Sequence, residues 1–206
     1  MRTYSFFPAV IVIGLSFLAL FLYDLNHHSD LTIERATSPI QHLANARQAI
    51  LDRKFNTSIR EMDAAIMDMK IIELSADSTA TKFIERAIQD LKFVETEIQN
   101  DSISLQDLNH AYFNALNSIA YANLIISEKN LDKGERYEAM RFMNATIKEM
   151  VSSLNFAANE RDKEREKVVI DDIKDILSKM KDSEYEYRFN YDSINKEVQE
   201  MIEISN

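Results

Sequence analysis

The sequence predicts an all-α protein, an antiparallel helical bundle or array of helical hairpins with an N-terminal transmembrane helix. Three observations lead to this fold class. The chain has only 2 Gly and 2 Pro among 206 residues, too few for the positive-φ turns that β-hairpins use. Apolar residues recur at helical spacing along most of the chain. A continuous apolar run, Phe6–Tyr23, lies near the start.

The same composition excludes several classes of function. The absence of Cys removes disulfides, thiolate zinc sites and thiol nucleophiles, and so few glycines cannot build a P-loop or a dinucleotide-binding fingerprint. The net charge of −10 argues against a nucleic-acid partner. Neither a Glu-x-x-His pair nor a His-Glu-x-x-His motif occurs, which removes two common metal sites. We therefore expect no enzymatic activity and no cofactor.

The apolar run Phe6–Tyr23 predicts a membrane anchor within residues 1–23. As a helix it would span about 27 Å, close to the ~30 Å hydrocarbon core of a bilayer. No Ala-x-Ala site follows it, so an uncleaved anchor is favoured over a signal peptide whose cleavage would secrete the protein. Arg2 precedes the run and Asp24 and Asp30 follow it, which favours a cytoplasmic N-terminus and a periplasmic or extracellular body. Residues 24–37 would be a linker.

Capping signals mark the first three helices of a core domain at residues 38–158. Ser38, followed by Pro39, predicts the N-cap of the first helix. Ser58 and Glu61 have the spacing of a capping box for the second helix. The third helix would begin near Asp77 and has the most regular apolar stripe of the three.

The fourth helix, which follows a predicted cap at Ser104, has a different character. No formally charged residue occurs from His110 to Ser127, and apolar side chains point in every direction. Such a helix is normally buried, so we expect it to be the centre of the bundle. A fifth helix should follow the turn around Gly134.

Residues 159–206 are predicted to form a charged helix and a C-terminal amphipathic helix that pack on the core or project from it. The eight consecutive charges of residues 160–167 alternate so that i,i+3 pairs have opposite signs, which supports a fully solvated helix. The amphipathic helix carries an apolar stripe that we expect to contact a partner, because terminal amphipathic helices often pair with other helices. Its residues are Tyr187, Tyr191, Ile194, Val198 and Met201.

The segment Ala46–Met69 resembles a tetratricopeptide-type helical hairpin. Its small, aromatic and large residues fall at the positions of that repeat: Ala46, Ala49, Phe55, Ser58, Met62 and Ala65. A fainter similarity covers residues 120–150, through Ala139, Met143 and Thr146, while Arg53 stands where the repeat usually has Gly. The resemblance implies hairpin packing and protein or peptide binding, and it assigns no site residue.

Two groups of polar residues are candidate sites. The central helix carries amides, hydroxyls and phenols that would form either an internal hydrogen-bond network or a small-ligand pocket: Tyr112, Asn114, Asn117, Ser118, Tyr121 and Asn123. His27, His28 and Asp30 could bind a metal ion weakly beside the membrane, although a solvated linker is the favoured explanation because a spacer does not fix the geometry of a site.

The functional expectation is a non-catalytic, membrane-anchored extracytoplasmic scaffold or adaptor that binds a protein or peptide, or a second copy of itself. The alternative is a helical bundle that senses a small ligand and signals through a partner.

Overall fold

The computed structural model describes residues 36–181 and 191–205, and in these ranges the chain is helical and contains no strand. The predicted helical bundle is therefore confirmed. The helices are α1 (Ser38–Leu51), α2 (Phe55–Glu73), α3 (Ser78–Gln99), α4 (Leu105–Asp132), α5 (Arg136–Ser153), α6 (Glu160–Lys181) and α7 (Tyr191–Ser205).

The expected anchor, Phe6–Tyr23, lies outside the described residues. Among the helices that are described, none is long and apolar enough to span a membrane.

Two of the predicted caps are confirmed. The Asp77 carboxylate accepts hydrogen bonds from the backbone N–H of Thr79 and Ala80, at 3.1 and 2.8 Å. The Ser104 hydroxyl oxygen accepts one from the N–H of Asp107 at 3.2 Å. These side chains satisfy N–H groups that a helix leaves unpaired at its start.

The other two predicted caps are wrong. Ser38 is already the first residue of α1, and the N-cap, Thr37, makes no side-chain cap bond. α2 begins at Phe55, so Ser58 lies inside the helix and is buried, and Glu61 bonds to His42 instead. A helix can thus begin without a side-chain cap where packing fixes it.

Three helix ends use a left-handed residue, and only one of these residues is Gly. α1, α3 and α4 are followed by Arg53, Asp101 and Gly134, with φ of 57°, 55° and 80°. At the end of α1, the Arg53 N–H donates to the Ile50 carbonyl at 2.9 Å, and the Lys54 N–H donates to the Ala49 carbonyl at 2.8 Å. This is the Schellman arrangement. Arg53 therefore adopts the glycine-like backbone of the position where the tetratricopeptide repeat has Gly.

Helix α4 is the centre of the bundle, as predicted. Every residue from Ala111 to Ser127 is buried, and α4 packs against α1, α2, α3, α5 and α7. One continuous cluster of buried apolar residues runs through all of the described helices.

The apolar stripe of α7 packs inside the chain and does not form the predicted partner surface. Tyr191, Ile194, Val198 and Met201 are each at most 4% exposed, and α7 contacts both α4 and α6. Tyr187 lies outside the described residues. The helix was correctly predicted to be amphipathic, but its apolar face packs against other helices of this chain.

The burial of α7 predicts unequal effects for two isoleucines of the same helix. Ile194→Ala should lower the free energy of unfolding by about 2–5 kcal/mol, because Ile194 is buried. Ile204→Ala should change it by less than about 0.5 kcal/mol, because Ile204 is 68% exposed. Urea unfolding followed by circular dichroism measures both. Equal effects of the two substitutions would contradict the packing of α7.

The left-handed helix ends predict a second pair of outcomes. Gly134→Ala should cost about 1 kcal/mol, because a Cβ is disfavoured at a φ of 80° while the space around it is open. Arg53→Ala is the matched control and should be close to neutral, since residue 53 already carries a Cβ there. Urea unfolding followed by circular dichroism measures the free energy of unfolding of both variants. A neutral Gly134→Ala would show that this turn is not under the conformational constraint described.

Candidate functional site

The polar residues of α4 that the sequence singled out bond to neighbouring helices. Asn114 donates to the Asp90 carboxylate of α3 at 3.0 Å, and its amide nitrogen lies 3.0 Å from His110 Nε2. The Ser118 hydroxyl donates to the Phe83 carbonyl of α3 at 3.3 Å. These bonds connect α4 to α3 at two levels.

The remaining four residues also have partners inside the bundle. Asn123 donates to both carboxyl oxygens of Glu149 in α5, at 3.0 and 2.9 Å. The rings of Tyr112 and Tyr121 pack edge-to-face on phenylalanines, at centroid distances of 5.3 and 5.4 Å, and burial raises the pKa of Tyr121 to about 12. Asn117 donates to a backbone carbonyl of its own helix at 3.2 Å. These bonds lie within the bundle, while Tyr112 Oη, Asn117 Oδ1 and Asn123 Oδ1 are buried without a hydrogen-bond partner among the described residues.

The proposed metal ligands His27, His28 and Asp30 lie outside the described residues. Within residues 36–181 and 191–205, no group of three His, Cys, Asp or Glu side chains is placed to hold a metal ion.

A cleft of about 800 Å³ opens at one end of the bundle. It lies between the start of α4, the connection from α5 to α6, the first turn of α6 and the end of α7. None of the six polar residues predicted from α4 lines it. Its lining residues are Leu105, Gln106, Asp107, Asn109, His110, Phe113, Phe156, Ala157, Ala158, Asn159, Asp162 and Ile204.

The cleft combines apolar surface with negative charge. Leu105 and Ile204 are 62% and 68% exposed at its edge, although apolar side chains of this size are usually covered. Among the described residues of the lining, Asp107 and Asp162 are the only ones with a formal charge, and none is Lys or Arg. In the small recess beside the cleft, Arg165 is bonded to Glu200 of α7 at 2.7 Å.

Local structure fixes the lining residues. Asn159 caps α6, because its Oδ1 accepts the Asp162 N–H at 3.0 Å while its Nδ2 donates to the Asp162 carboxylate at 2.8 Å. Phe156 is held between the Tyr112 ring and the Arg47 guanidinium, which lies 5.7 Å from its centroid. The cleft is therefore formed by positioned side chains in this structure.

Three buried polar residues lie one helical turn behind the lining. Asn117 is four residues after Phe113, Ser153 is three before Phe156, and Glu166 is four after Asp162. All three are fully buried. We call Asn117, Ser153 and Glu166 the buried triad.

Burial and hydrogen bonding act in opposite directions on the ionisation of Glu166. The Ser153 hydroxyl contacts two acceptors, the Met150 carbonyl at 2.7 Å and a Glu166 carboxyl oxygen. Burial raises the pKa of Glu166 to about 7, and hydrogen bonds from Ser153 and Asn117 offset part of that effect. Glu166 is therefore poised to ionise near neutral pH.

Glu149 is a second buried carboxyl group, on α5. It is completely inaccessible, and this burial raises its pKa well above the ordinary value, although Asn123 bonds to both of its oxygens. It lies one turn before Ser153, farther from the cleft than the triad.

Sequence reasoning missed both buried glutamates. Glu166 was assigned to a fully solvated run, but it lies four residues before Ile170, and so extends the buried stripe of α6 backwards. The apolar residues of α5 do not all face inward, since Tyr137 and Val151 are exposed. The buried face of α5 passes through Phe142, Thr146, Glu149 and Ser153. Continuing the helical spacing of the buried α6 residues back into the charged run would have identified Glu166 as a buried position.

The raised pKa of Glu166 predicts a pH-dependent difference in stability. A pKa that is higher in the folded state stabilises the fold below the unfolded value of about 4.5, and that contribution is lost as pH rises through about 7. Glu166→Gln should therefore match the wild type at pH 5 and be more stable at pH 8, by up to about 3 kcal/mol.

Urea unfolding at both pH values measures this difference. Glu164→Gln, in the exposed part of the same helix, is the control and should follow the wild type at both. A wild type that equals or exceeds Glu166→Gln in stability at pH 8 would contradict the placement of Glu166.

Comparison with known proteins gives no relative from which a role could be transferred. The chain matches no protein-family model, no curated protein and no solved structure.

Proposed function

We propose that this protein is a non-catalytic helical scaffold that binds a partner protein through the cleft at the end of α4. The partner contributes an extended or helical segment that carries apolar side chains and at least one Lys or Arg. The scaffold is held at a membrane by Phe6–Tyr23, with its body outside the cytoplasm, a part of the proposal that rests on the sequence alone.

The observation that carries the proposal is the pairing of exposed apolar surface with unneutralised negative charge. Leu105 and Ile204 offer contact area that the bundle leaves uncovered. Asp107 and Asp162 lie in the same cleft, and no basic residue of the lining balances them. Exposed apolar residues beside charge of one sign are typical of interaction sites and favour a partner of the opposite charge.

The size of the cleft is sufficient for part of a partner segment. Pockets for small ligands have volumes of about 300–1,000 Å³, and the cleft falls in this range. The same volume accommodates a few side chains of a partner. The rest of a partner domain would lie on the surrounding helix ends.

The burial of the α7 stripe moves the proposed contact from the stripe to the cleft. Tyr191, Ile194 and Val198 are covered by the chain itself, whereas Ile204 of the same helix reaches the cleft edge. The terminal helix thus still contributes to the proposed surface, through its last turn.

A displayed library of random peptides tests the proposal. Selection on the purified helical bundle should enrich peptides that combine Leu, Ile or Phe with Lys or Arg. The tightest basic peptide should bind Ile204→Ala about tenfold more weakly, a loss of about 1.4 kcal/mol for the apolar contact. The combined change Asp107→Asn and Asp162→Asn should weaken binding and reduce its salt dependence.

The matched control is the combined change Asp171→Asn and Asp172→Asn, which removes the same charge from an exposed part of α6 outside the cleft. It should leave the affinity within twofold of the wild type. The proposal fails if no basic peptide is enriched, or if the cleft and control variants bind the selected peptide equally.

A further inference from the structure

We propose that Glu166 is a third acidic residue of the cleft, acting from the buried triad, and that binding of the partner's basic side chain expels its proton. This inference rests on the proposed function and names how the same site is regulated. Affinity for a basic segment then rises with pH across neutrality, so that the scaffold holds its partner more tightly when the triad is ionised.

The first step is proximity. Glu166 follows Asp162 by four residues on α6, which corresponds to about 6 Å along the helix axis. Asn117 lies four residues after Phe113, and Ser153 lies three residues before Phe156. The helix register therefore places Glu166 one turn from the cleft lining.

The second step is the absence of a counter-charge from the groups that face Glu166. α4 presents Asn117 and α5 presents Ser153, both uncharged. α6 presents Asp162, whose negative charge raises the pKa of Glu166 further. On α5 the nearest carboxyl group is Glu149, which is bonded to Asn123.

The three basic residues within three positions of Glu166 are engaged elsewhere. Lys163 is bonded to Glu160 at 2.8 Å and Lys167 to Glu164 at 2.6 Å. Arg165 is bonded to Glu200, the acidic residue that α7 brings to α6 at this level. One Glu166 oxygen, Oε2, has no hydrogen-bond partner among the described residues. A cation bound beside Asp107 and Asp162 would bring a positive charge near Glu166 that these engaged basic residues do not supply.

The third step is the sign of the coupling. A nearby positive charge favours the ionised carboxylate, so it lowers the pKa of Glu166, and a proton leaves when the cation binds. By reciprocity, ionisation of Glu166 tightens binding of the cation. His110 also lines the cleft and is exposed. The contribution of His110 to the pH dependence of binding must therefore be separated.

The experiment measures the affinity of the library-selected basic peptide at pH 6 and pH 8 by isothermal titration calorimetry. The wild type should bind about fivefold or more tightly at pH 8. Glu166→Gln should reduce this ratio to less than about twofold. His110→Gln should retain most of it, which assigns the effect to Glu166. At pH 7 in two buffers of different ionisation enthalpy, the wild type should release a fraction of a proton and Glu166→Gln none.

Two further measurements keep the outcome decisive. The same peptide with norleucine in place of its basic residue should show no pH dependence with the wild type. Ser153→Ala removes a hydrogen bond that favours ionised Glu166, so it should move the midpoint of the pH dependence upwards. This variant also serves if Glu166→Gln does not fold.

Failure of the inference is distinguishable from failure of the proposed function. If the basic peptide binds the cleft with equal affinity at pH 6 and 8, or if Glu166→Gln keeps the wild-type ratio, the coupling is overturned and the scaffold remains. If no basic peptide binds at either pH, both are overturned.

Discussion

The structure depends on the complete burial of α4 with its polar side chains. A helix that is covered on all sides must find a hydrogen-bond partner for each of its buried polar groups, since an unpaired one costs about 1–3 kcal/mol. Ser118 meets a carbonyl of α3, and Asn123 meets Glu149 of α5. Ser127 donates to the Ala139 carbonyl at 2.7 Å and contacts the Tyr191 hydroxyl of α7 at 2.9 Å. These contacts fix the axial position of three helices relative to α4.

That register determines what forms at the end of the bundle. With α5 and α7 fixed along α4, one cleft forms between the first turns of α4, the connection between α5 and α6, and the last turn of α7. The cleft is the space that remains between these ends. The buried triad lies just behind it because the polar positions of α4, α5 and α6 continue one turn inward from the lining. The proposed partner site and its proton coupling therefore both derive from the packing of α4.

The sequence was sufficient for the architecture and insufficient for the site. The uncharged stretch from His110 to Ser127 predicted the central helix correctly, because a helix that is buried on all sides is poor in charged residues, and the composition shows this directly. The composition does not reveal the cleft, since its lining comes from three separate segments that only tertiary packing brings together. Glu166 was hidden by its neighbours, because seven adjacent charges suggested a solvated helix. The α7 stripe was recognised as amphipathic, but a periodic pattern does not say whether the covering surface belongs to the same chain.

The central claim is that the end of α4 is where the protein meets its partner. Its most direct test is a nuclear magnetic resonance titration of the isotopically labelled protein with a basic, apolar peptide selected on the bundle. The account predicts that the backbone amide shifts that change most belong to Leu105–Phe113, Phe156–Asp162 and the last turn of α7. Changes concentrated instead on the exposed faces of α2 and α3, around Met67 and Phe93, would contradict it.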